Sequence, residues 1–146
     1  MDVALKIEID GQPDLLAGLA VPPVQLLDLA AERHGARPAC VFVAHGVRWS
    51  WAELRQQADE VAAGLLSLGV QRGDRVGIWS PNRPEWVLLQ FATARIGAIL
   101  VNINPAYRTH ELAYVLNQSG ARTLIAATWF KTSDYVAMVD EVRPEA

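Results

Sequence analysis

Residues 75–103 read RVGIWSPNRPEWVLLQFATARIGAILVNI and predict a strand, a helix and a second strand. Arg75–Trp79 predicts the first strand, and Pro84–Ile96 predicts the helix, because proline suits the first turn of a helix. Ala98–Ile103 predicts the second strand. Its apolar residues run on without alternation, as in a parallel strand that is covered on both faces. The stretch is therefore read as a βαβ unit, which places its two strands in one parallel sheet.

The same order of elements continues towards the carboxyl end. Residues 109–119 predict a helix that Thr109 caps and Gly120 stops, and Thr123–Ala127 predicts a third strand. Because strands begin near residues 75, 98 and 122, the spacing is typical of βαβ units, and right-handed crossovers are expected. A last helix is predicted to begin near Thr132 or Ser133, with apolar positions at Tyr135, Val136, Val139 and Val142.

A helix and a β-hairpin are predicted before this sheet. The helix has Pro23 near its first position and Gly35 at its end, with an apolar face of Leu26, Leu27, Ala30 and Ala31. Ala39–Ala44 and Val47–Trp49 predict the two strands of the hairpin. Gly46 between them permits the positive φ that a tight turn needs. We therefore predict an α/β fold whose layered, mostly parallel sheet follows a helix and a hairpin.

A long amphipathic helix is predicted between the hairpin and the sheet. Ser50 and Glu53 have the spacing of a capping box, in which each side chain accepts a hydrogen bond from the other residue's backbone amide. Gly69 supplies the left-handed residue that ends such a helix. The apolar positions recur every three or four residues and predict one buried face, made of Leu54, Ala58, Val61, Leu65 and Leu68.

The first residues are organised differently from the rest. Val3, Leu5, Ile7 and Ile9 alternate with more polar residues and predict a short edge strand, and Asp14–Pro23 reads as a linker. We therefore divide the chain into an amino-terminal strand and linker, residues 1–23, and a domain portion, residues 24–146.

Composition excludes several classes of protein. The chain has 146 residues, of which 51% are hydrophobic and 20% are charged, so it is not a disordered tail. Its net charge of −3 argues against nucleic-acid binding. Its single cysteine, Cys40, has no internal disulfide partner. No signal peptide and no uninterrupted apolar stretch of about 20 residues is present, so we predict a cytoplasmic protein without a spanning segment.

Few residues suggest chemistry. The sequence contains neither a Gly-x-Gly-x-x-Gly motif nor a Gly-Lys-Ser/Thr motif. His110-Glu111 resembles the start of a zinc-protease helix, but Tyr114 stands where the second histidine ligand is needed. His34 and His45 are expected at the surface, and Cys40 is expected to act as a small hydrophobe.

Two loops are better candidates because each follows a strand and precedes a helix. Ser80–Pro84 follows the first strand, at a position where α/β proteins bind ligands and where helix amino termini favour anions. The alternative is a turn whose prolines set the start of the helix. Asn102–Arg108 follows the second strand. It could contact a ligand, or it could fasten the sheet to another part of a larger protein.

Several ordered segments resemble the opening of the AMP-forming acyl-CoA synthetases: SWAEL at 50–54, GLLSLGV at 64–70 and GDRVGI at 73–78. Pro81-Asn82 with Trp86, followed by ARIGAILVNINP at 94–105, is similar to the second core motif of that family. Three further segments look closest to the fatty-acid and medium-chain subgroup: NPAY at 104–107, ELAYVL at 111–116 and FKT at 130–132. The resemblance covers about residues 24 to 145.

This resemblance implies an incomplete portion of the family's large amino-terminal domain. In the whole enzyme, a fatty carboxylate attacks ATP with the help of magnesium to give an acyl-adenylate and pyrophosphate, and the thiol of coenzyme A then displaces AMP. The family's phosphate loop, magnesium-binding glutamate, ribose-binding aspartate and carboxyl-terminal lysine match no position here. No catalytic, cofactor-binding or metal-binding residue is therefore assigned.

We accordingly expect a fragment that is inactive by itself and whose main partner is the remainder of the synthetase. Because a small sheet of this kind leaves an open edge and uncovered apolar surface, self-association is also expected. The alternative is a self-sufficient, non-catalytic α/β binding or interaction module.

Overall fold

A computed structural model describes residues 22–143. The strand predicted at Val3–Ile9 and most of the linker lie outside the described residues, so the domain boundary at residue 23 stays a prediction. Within residues 22–143, no helix is both long enough and apolar enough to cross a bilayer.

The described residues form five helices and seven strands. The helices are α1 (Pro23–His34), α2 (Trp51–Ser67), α3 (Pro84–Ile96), α4 (Thr109–Ser119) and α5 (Tyr135–Val142). The strands are β1 (Pro38–Phe42), β2 (Val47–Ser50), β3 (Arg75–Trp79), β4 (Ile99–Ile103), β5 (Thr123–Ala126), β6 (Trp129–Phe130) and β7 (Ser133–Asp134).

The main sheet is parallel and has the order β4-β3-β5. Val76 of β3 lies opposite Leu100 of β4 on one side and opposite Thr123 of β5 on the other. The α/β fold and its parallel sheet are thus confirmed. A separate antiparallel hairpin, β1–β2, precedes this sheet, and a second short hairpin, β6–β7, follows it.

Helices cover both faces of the sheet. On one face, Val76 and Ile78 of β3 form a buried cluster with Leu65 of α2 and Leu89 of α3. The cluster on the other face joins β3 and β4 to α4 and α5, and its buried members include Trp79, Ile103, Leu112, Tyr135 and Met138. The chain therefore places consecutive helices, α3 and α4, on opposite faces of β3.

The predicted capping box at the start of α2 is present. Ser50 donates its backbone N–H to Glu53 Oε2 over 2.7 Å, and Glu53 donates its backbone N–H to Ser50 Oγ over 3.2 Å. The first of these bonds holds the pKa of Glu53 below its usual range. At the other end of the helix, Gly69 has a φ of +87°, as the left-handed stop requires.

The predicted buried face of α2 is correct except at its end. Leu54, Ala58 and Leu65 are buried, whereas Leu68 is 69% exposed. The reason is that α2 ends at Ser67, and Val70 N–H then bonds to the carbonyl of Leu65. This turn directs Val70 into the core in place of Leu68.

An arginine joins the three helices on this side of the sheet. Arg95 of α3 donates two hydrogen bonds to the carboxylate of Asp28 in α1, at 2.6 and 2.8 Å. Its Nε donates to Asp59 of α2 over 2.7 Å. The Arg95 guanidinium lowers the pKa of Asp28. Because one guanidinium satisfies both carboxylates, it fixes α1 and α2 against α3.

Two strand predictions need correction. The first hairpin strand ends at Phe42, because Val43–His45 form a 3₁₀ turn before Gly46. Strand β4 is covered on both faces, since Leu100 packs against the cluster with α2 and α3 and Val101 against the cluster with α4 and α5, but its first residue, Ile99, is 48% exposed. Within the described residues β4 pairs only with β3, so it lies at the edge of this sheet, and Ile99 is only partly covered there.

The ends of the last two helices also differ from the prediction. Arg108, not Thr109, is the residue before α4, and its backbone N–H donates to Glu111 Oε2 over 3.0 Å. Residues 132 and 133 belong to the β6–β7 hairpin, so α5 begins at Tyr135, with Asp134 as its cap. Its buried residues are Tyr135, Met138 and Val142, which leaves Val136 on the exposed side at 53%.

Three substitutions in and next to α2 test this assignment. Leu65→Ala should lower the free energy of unfolding by about 2–5 kcal/mol, because Leu65 is 3% exposed in the core. Ser50→Ala should cost about 1 kcal/mol through loss of the cap. Leu68→Ala is the matched control and should change stability by less than about 0.5 kcal/mol. Urea unfolding followed by circular dichroism measures all three, and a larger cost at Leu68 than at Leu65 would contradict the assigned face.

Candidate functional site

The strand order creates a crevice at the carboxyl ends of β3 and β5. The chain passes from β3 to β4 on one side and then returns across β3 to β5, so the two connections diverge at this point. Open α/β sheets bind ligands at such a switch point. The crevice has a volume of about 230 Å³ and is lined by Ile78, Ser80, Arg83, Glu85 and residues 125–128.

The predicted loop Ser80–Pro84 forms one wall of this crevice. Ser80 is 7% exposed, and its hydroxyl donates to the carbonyl of Pro81 over 2.9 Å. The Ser80 carbonyl accepts a hydrogen bond from the Trp86 indole over 3.0 Å. These bonds connect the end of β3 to the first turn of α3, as expected for the turn interpretation of the loop.

Arg83 and Glu85 provide the charges at the mouth of the crevice. The Arg83 guanidinium donates two hydrogen bonds to Glu85, each 3.2 Å long. This pairing raises the pKa of Arg83 and lowers the pKa of Glu85. Both groups therefore stay ionised and offset each other, so the pair contributes little net charge to the crevice.

The other wall was not predicted from the sequence. Ala127 and Thr128 follow β5, and the Ala127 N–H donates to the carbonyl of Trp79 over 3.1 Å. The end of the third predicted strand was the available signal, because the carboxyl ends of parallel strands share an edge. To predict this wall from the sequence, one would also need to know that β5, and not β4, lies beside β3 at the crevice.

The second predicted loop, Asn102–Arg108, is not among the residues that line the crevice. Trp79 donates its indole N–H to the Asn104 carbonyl over 3.1 Å and stacks on Tyr135, with ring centroids 3.6 Å apart. The Tyr135 hydroxyl donates to the Pro105 carbonyl, and burial raises the pKa of this phenol. The loop therefore fastens β4 to α5, through Tyr135 at the start of that helix.

An apolar groove adjoins the crevice. It has a volume of about 290 Å³ and shares Glu85 and Ile125 with the crevice lining. Its other lining residues come from α2, its end and α3: Val61, Gly64, Leu65, Leu68, Leu88 and Leu89. The exposed side chain of Leu68 is thus part of an apolar surface beside β5. The outer edge of β5 is unpaired within the described residues.

The other candidate residues form no site in the described part of the chain. His34 and His45 are exposed, as expected, and His110 is exposed too. Cys40 is half-buried, and burial raises the pKa of its thiol, which disfavours the reactive thiolate. Residues 22–143 contain no group of three histidine, cysteine, aspartate or glutamate side chains placed to hold a metal ion.

Comparison with known proteins places this fold in a family. The family described as "AMP-binding enzyme" matches residues 27–146. Human medium-chain acyl-CoA ligase ACSF2, mitochondrial, is 44% identical over 121 residues, which make up 83% of this chain and 20% of that ligase. The zebrafish (Danio rerio) protein of the same name is 40% identical over 152 residues, covering 95% of this chain and 25% of the ligase.

Solved structures agree with the sequence comparison. A Mycobacterium tuberculosis fatty acyl CoA synthetase superposes with a TM-score of 0.75 at 28% identity, covering 82% of this chain and 23% of that protein. The inhibitor-bound amino-terminal domain of FACL13 from the same organism gives the same score and identity, with 29% of that domain covered.

The chain belongs to the family of AMP-binding enzymes, and the resemblance to the acyl-CoA synthetases is confirmed. It spans about a fifth to a quarter of the length of the curated relatives named above. Its sheet corresponds to part of the amino-terminal domain of the acyl-CoA synthetases.

Substitutions at Tyr135 test the connection between the second loop and α5. Tyr135→Phe keeps the stacking on Trp79 but leaves the Pro105 carbonyl without its donor, and should cost about 1 kcal/mol. Tyr135→Leu should cost more, because it also removes an aromatic contact worth about 0.5–1.5 kcal/mol. Unfolding monitored by near-ultraviolet circular dichroism measures both. Tyr114→Phe is the control, since Tyr114 is 66% exposed, and equal stability of all three variants would contradict the connection.

Proposed function

We propose that this chain is the amino-terminal portion of an acyl-CoA ligase that acts on fatty, medium-chain carboxylates. The complete enzyme would join the carboxylate to coenzyme A in two steps, through an acyl-adenylate formed from ATP with release of pyrophosphate. The main support is the identity of 40–44% to medium-chain acyl-CoA ligases over most of this chain. The shared fold with a fatty acyl CoA synthetase supports the same assignment.

Residues 22–143 would serve this enzyme as scaffold. Polar groups in and beside the crevice bond to one another: the Ser80 hydroxyl donates to the Pro81 carbonyl, the Trp86 indole donates to the Ser80 carbonyl, and Arg83 donates to Glu85. Phosphate transfer needs charged groups held ready around the reacting phosphate. Because these groups are engaged in fixing the turn between β3 and α3, we propose that the reacting groups come from other parts of the enzyme.

The substrates and cofactors of the complete enzyme remain part of this proposal. ATP, magnesium and coenzyme A are proposed because the acyl-CoA synthetase family uses them. The described residues contain no cluster of carboxylates suited to magnesium. No step that involves the metal is therefore assigned to them. The remainder of the synthetase is the proposed partner of the open β5 edge and the apolar groove beside it. A cytoplasmic location stays a prediction, since the ACSF2 relatives are named as mitochondrial.

Two assays of pyrophosphate release test this proposal. The 146-residue chain, supplied with ATP, magnesium, coenzyme A and a series of medium-chain carboxylates, should release no more pyrophosphate than a blank. Human ACSF2 whose corresponding segment is replaced by residues 22–143 should remain active, because that segment would restore the same sheet.

A Gly77→Val form of this chimera is the control. A Cβ atom at Gly77 would lie 3.1 Å from both Ile103 Cδ1 and Leu124 Cδ1, and valine adds two further methyl groups, so the variant should overpack this face of the sheet and lower activity. Turnover by the isolated chain would contradict its proposed inactivity. A chimera that folds but does not release pyrophosphate would contradict the proposed role.

A further inference from the structure

Two buried aromatic rings support the second loop from behind. Trp79, the last residue of β3, and Tyr135, the first residue of α5, are both 0% exposed. Their rings stack with centroids 3.6 Å apart and planes inclined by 6°. Each ring carries one polar group, and both groups donate to the loop: the Trp79 indole to the Asn104 carbonyl, and the Tyr135 hydroxyl to the Pro105 carbonyl. The pair therefore holds two consecutive carbonyls of one loop.

The same two residues also hold the wall of the crevice that follows β5. The Tyr135 backbone N–H donates to the Thr128 carbonyl over 3.0 Å, and the Ala127 N–H donates to the Trp79 carbonyl over 3.1 Å. Ala127 and Thr128 line the crevice. The ring pair thus sets the position of the second loop relative to this wall, although α4 and β5 separate the two segments in the chain.

The second loop keeps its shape through bonds of its own. The Ala106 N–H donates to Asn104 Oδ1 over 2.9 Å, and the Tyr107 N–H donates to the Asn104 carbonyl over 3.1 Å. The Arg108 guanidinium donates to Ser133 Oγ over 2.7 Å. Because these local bonds set the shape of the loop, the contribution of the two rings is its placement against the sheet. Binding groups depend on such support from the residues packed behind them.

We propose that Tyr135 is a positioning residue for substrate binding, which holds the second loop where it contacts a substrate of the complete enzyme. This inference rests on the function proposed above. Parallel α/β sheets bind ligands beyond the carboxyl ends of their strands, which is where the loop and the crevice wall lie. The reacting groups would come from other parts of the enzyme, so the loop would bind the substrate and the transition state equally. Loss of its support should then raise KM and leave kcat unchanged.

Steady-state kinetics of the complete enzyme test this role, with KM and kcat measured for ATP, a medium-chain carboxylate and coenzyme A. Tyr135→Phe keeps the stacked ring but removes the donor to Pro105. It should raise the KM for one of these substrates at least about threefold, with kcat within about twofold of the unchanged enzyme.

Val142→Ala is the matched control. Val142 is 3% exposed in the same buried cluster, at the other end of α5 from Tyr135. This variant should lose at least as much stability in thermal unfolding as Tyr135→Phe, yet every KM should stay unchanged. A rise in KM that follows the loss of stability in both variants would overturn the proposal, because the role of Tyr135 would then be structural only.

A second variant acts on the same loop through the other ring. Trp79→Phe keeps an aromatic ring beside Tyr135 but removes the donor to Asn104, and it should raise the KM for the same substrate. Because both donors hold one loop, the double variant Trp79→Phe/Tyr135→Phe should raise this KM by less than the product of the two single effects.

The kinetics distinguish failure of this inference from failure of the proposed function. An active enzyme whose KM values are unchanged by Tyr135→Phe would overturn the inference. A fall in kcat without a change in KM would overturn it too, because the loop would then act in the chemical step. An unchanged complete enzyme that releases no pyrophosphate would instead contradict the proposed function.

Discussion

Strand β3 alternates its side chains between two separate cores. Val76 and Ile78 point into the cluster with α2 and α3, while Trp79 points into the cluster with α4 and α5. Gly77 shares the second face and leaves room there for Ile103 and Leu124, whose methyl groups would lie 3.1 Å from any added Cβ atom. β3 is also paired along both of its edges. The sheet and the helices on its two faces therefore all depend on Arg75–Trp79.

This arrangement explains why the two predicted loops have different environments. The loop after β3 borders a crevice because the chain leaves β3 towards β4, away from β5. The space between the carboxyl ends of β3 and β5 is therefore left open. The loop after β4 is held against α5 by Trp79 and Tyr135, both fully buried.

Local sequence patterns were sufficient for the elements but not for their neighbours. Three predicted features depend only on residues close in the chain, and all are present: the Ser50–Glu53 capping box, the end of α2 at Gly69, and the alternation of strands and helices along residues 75–126. The burial of Leu68 and Ile99 was predicted wrongly, because it depends on what covers each face. Periodicity cannot supply the strand order, so Ala127 and Thr128 were missed as the second wall of the crevice.

Hydrogen exchange of the sheet amides tests the central role of β3 most directly. The backbone amides of β3 should exchange more slowly than those of β4 and β5, because within the described residues β3 is the only strand of this sheet that is paired along both edges. Mass spectrometry or NMR of the chain resolves the three strands. Equal or faster exchange in β3 than in β5 would contradict the account, since it would mean that the sheet is not organised around this strand.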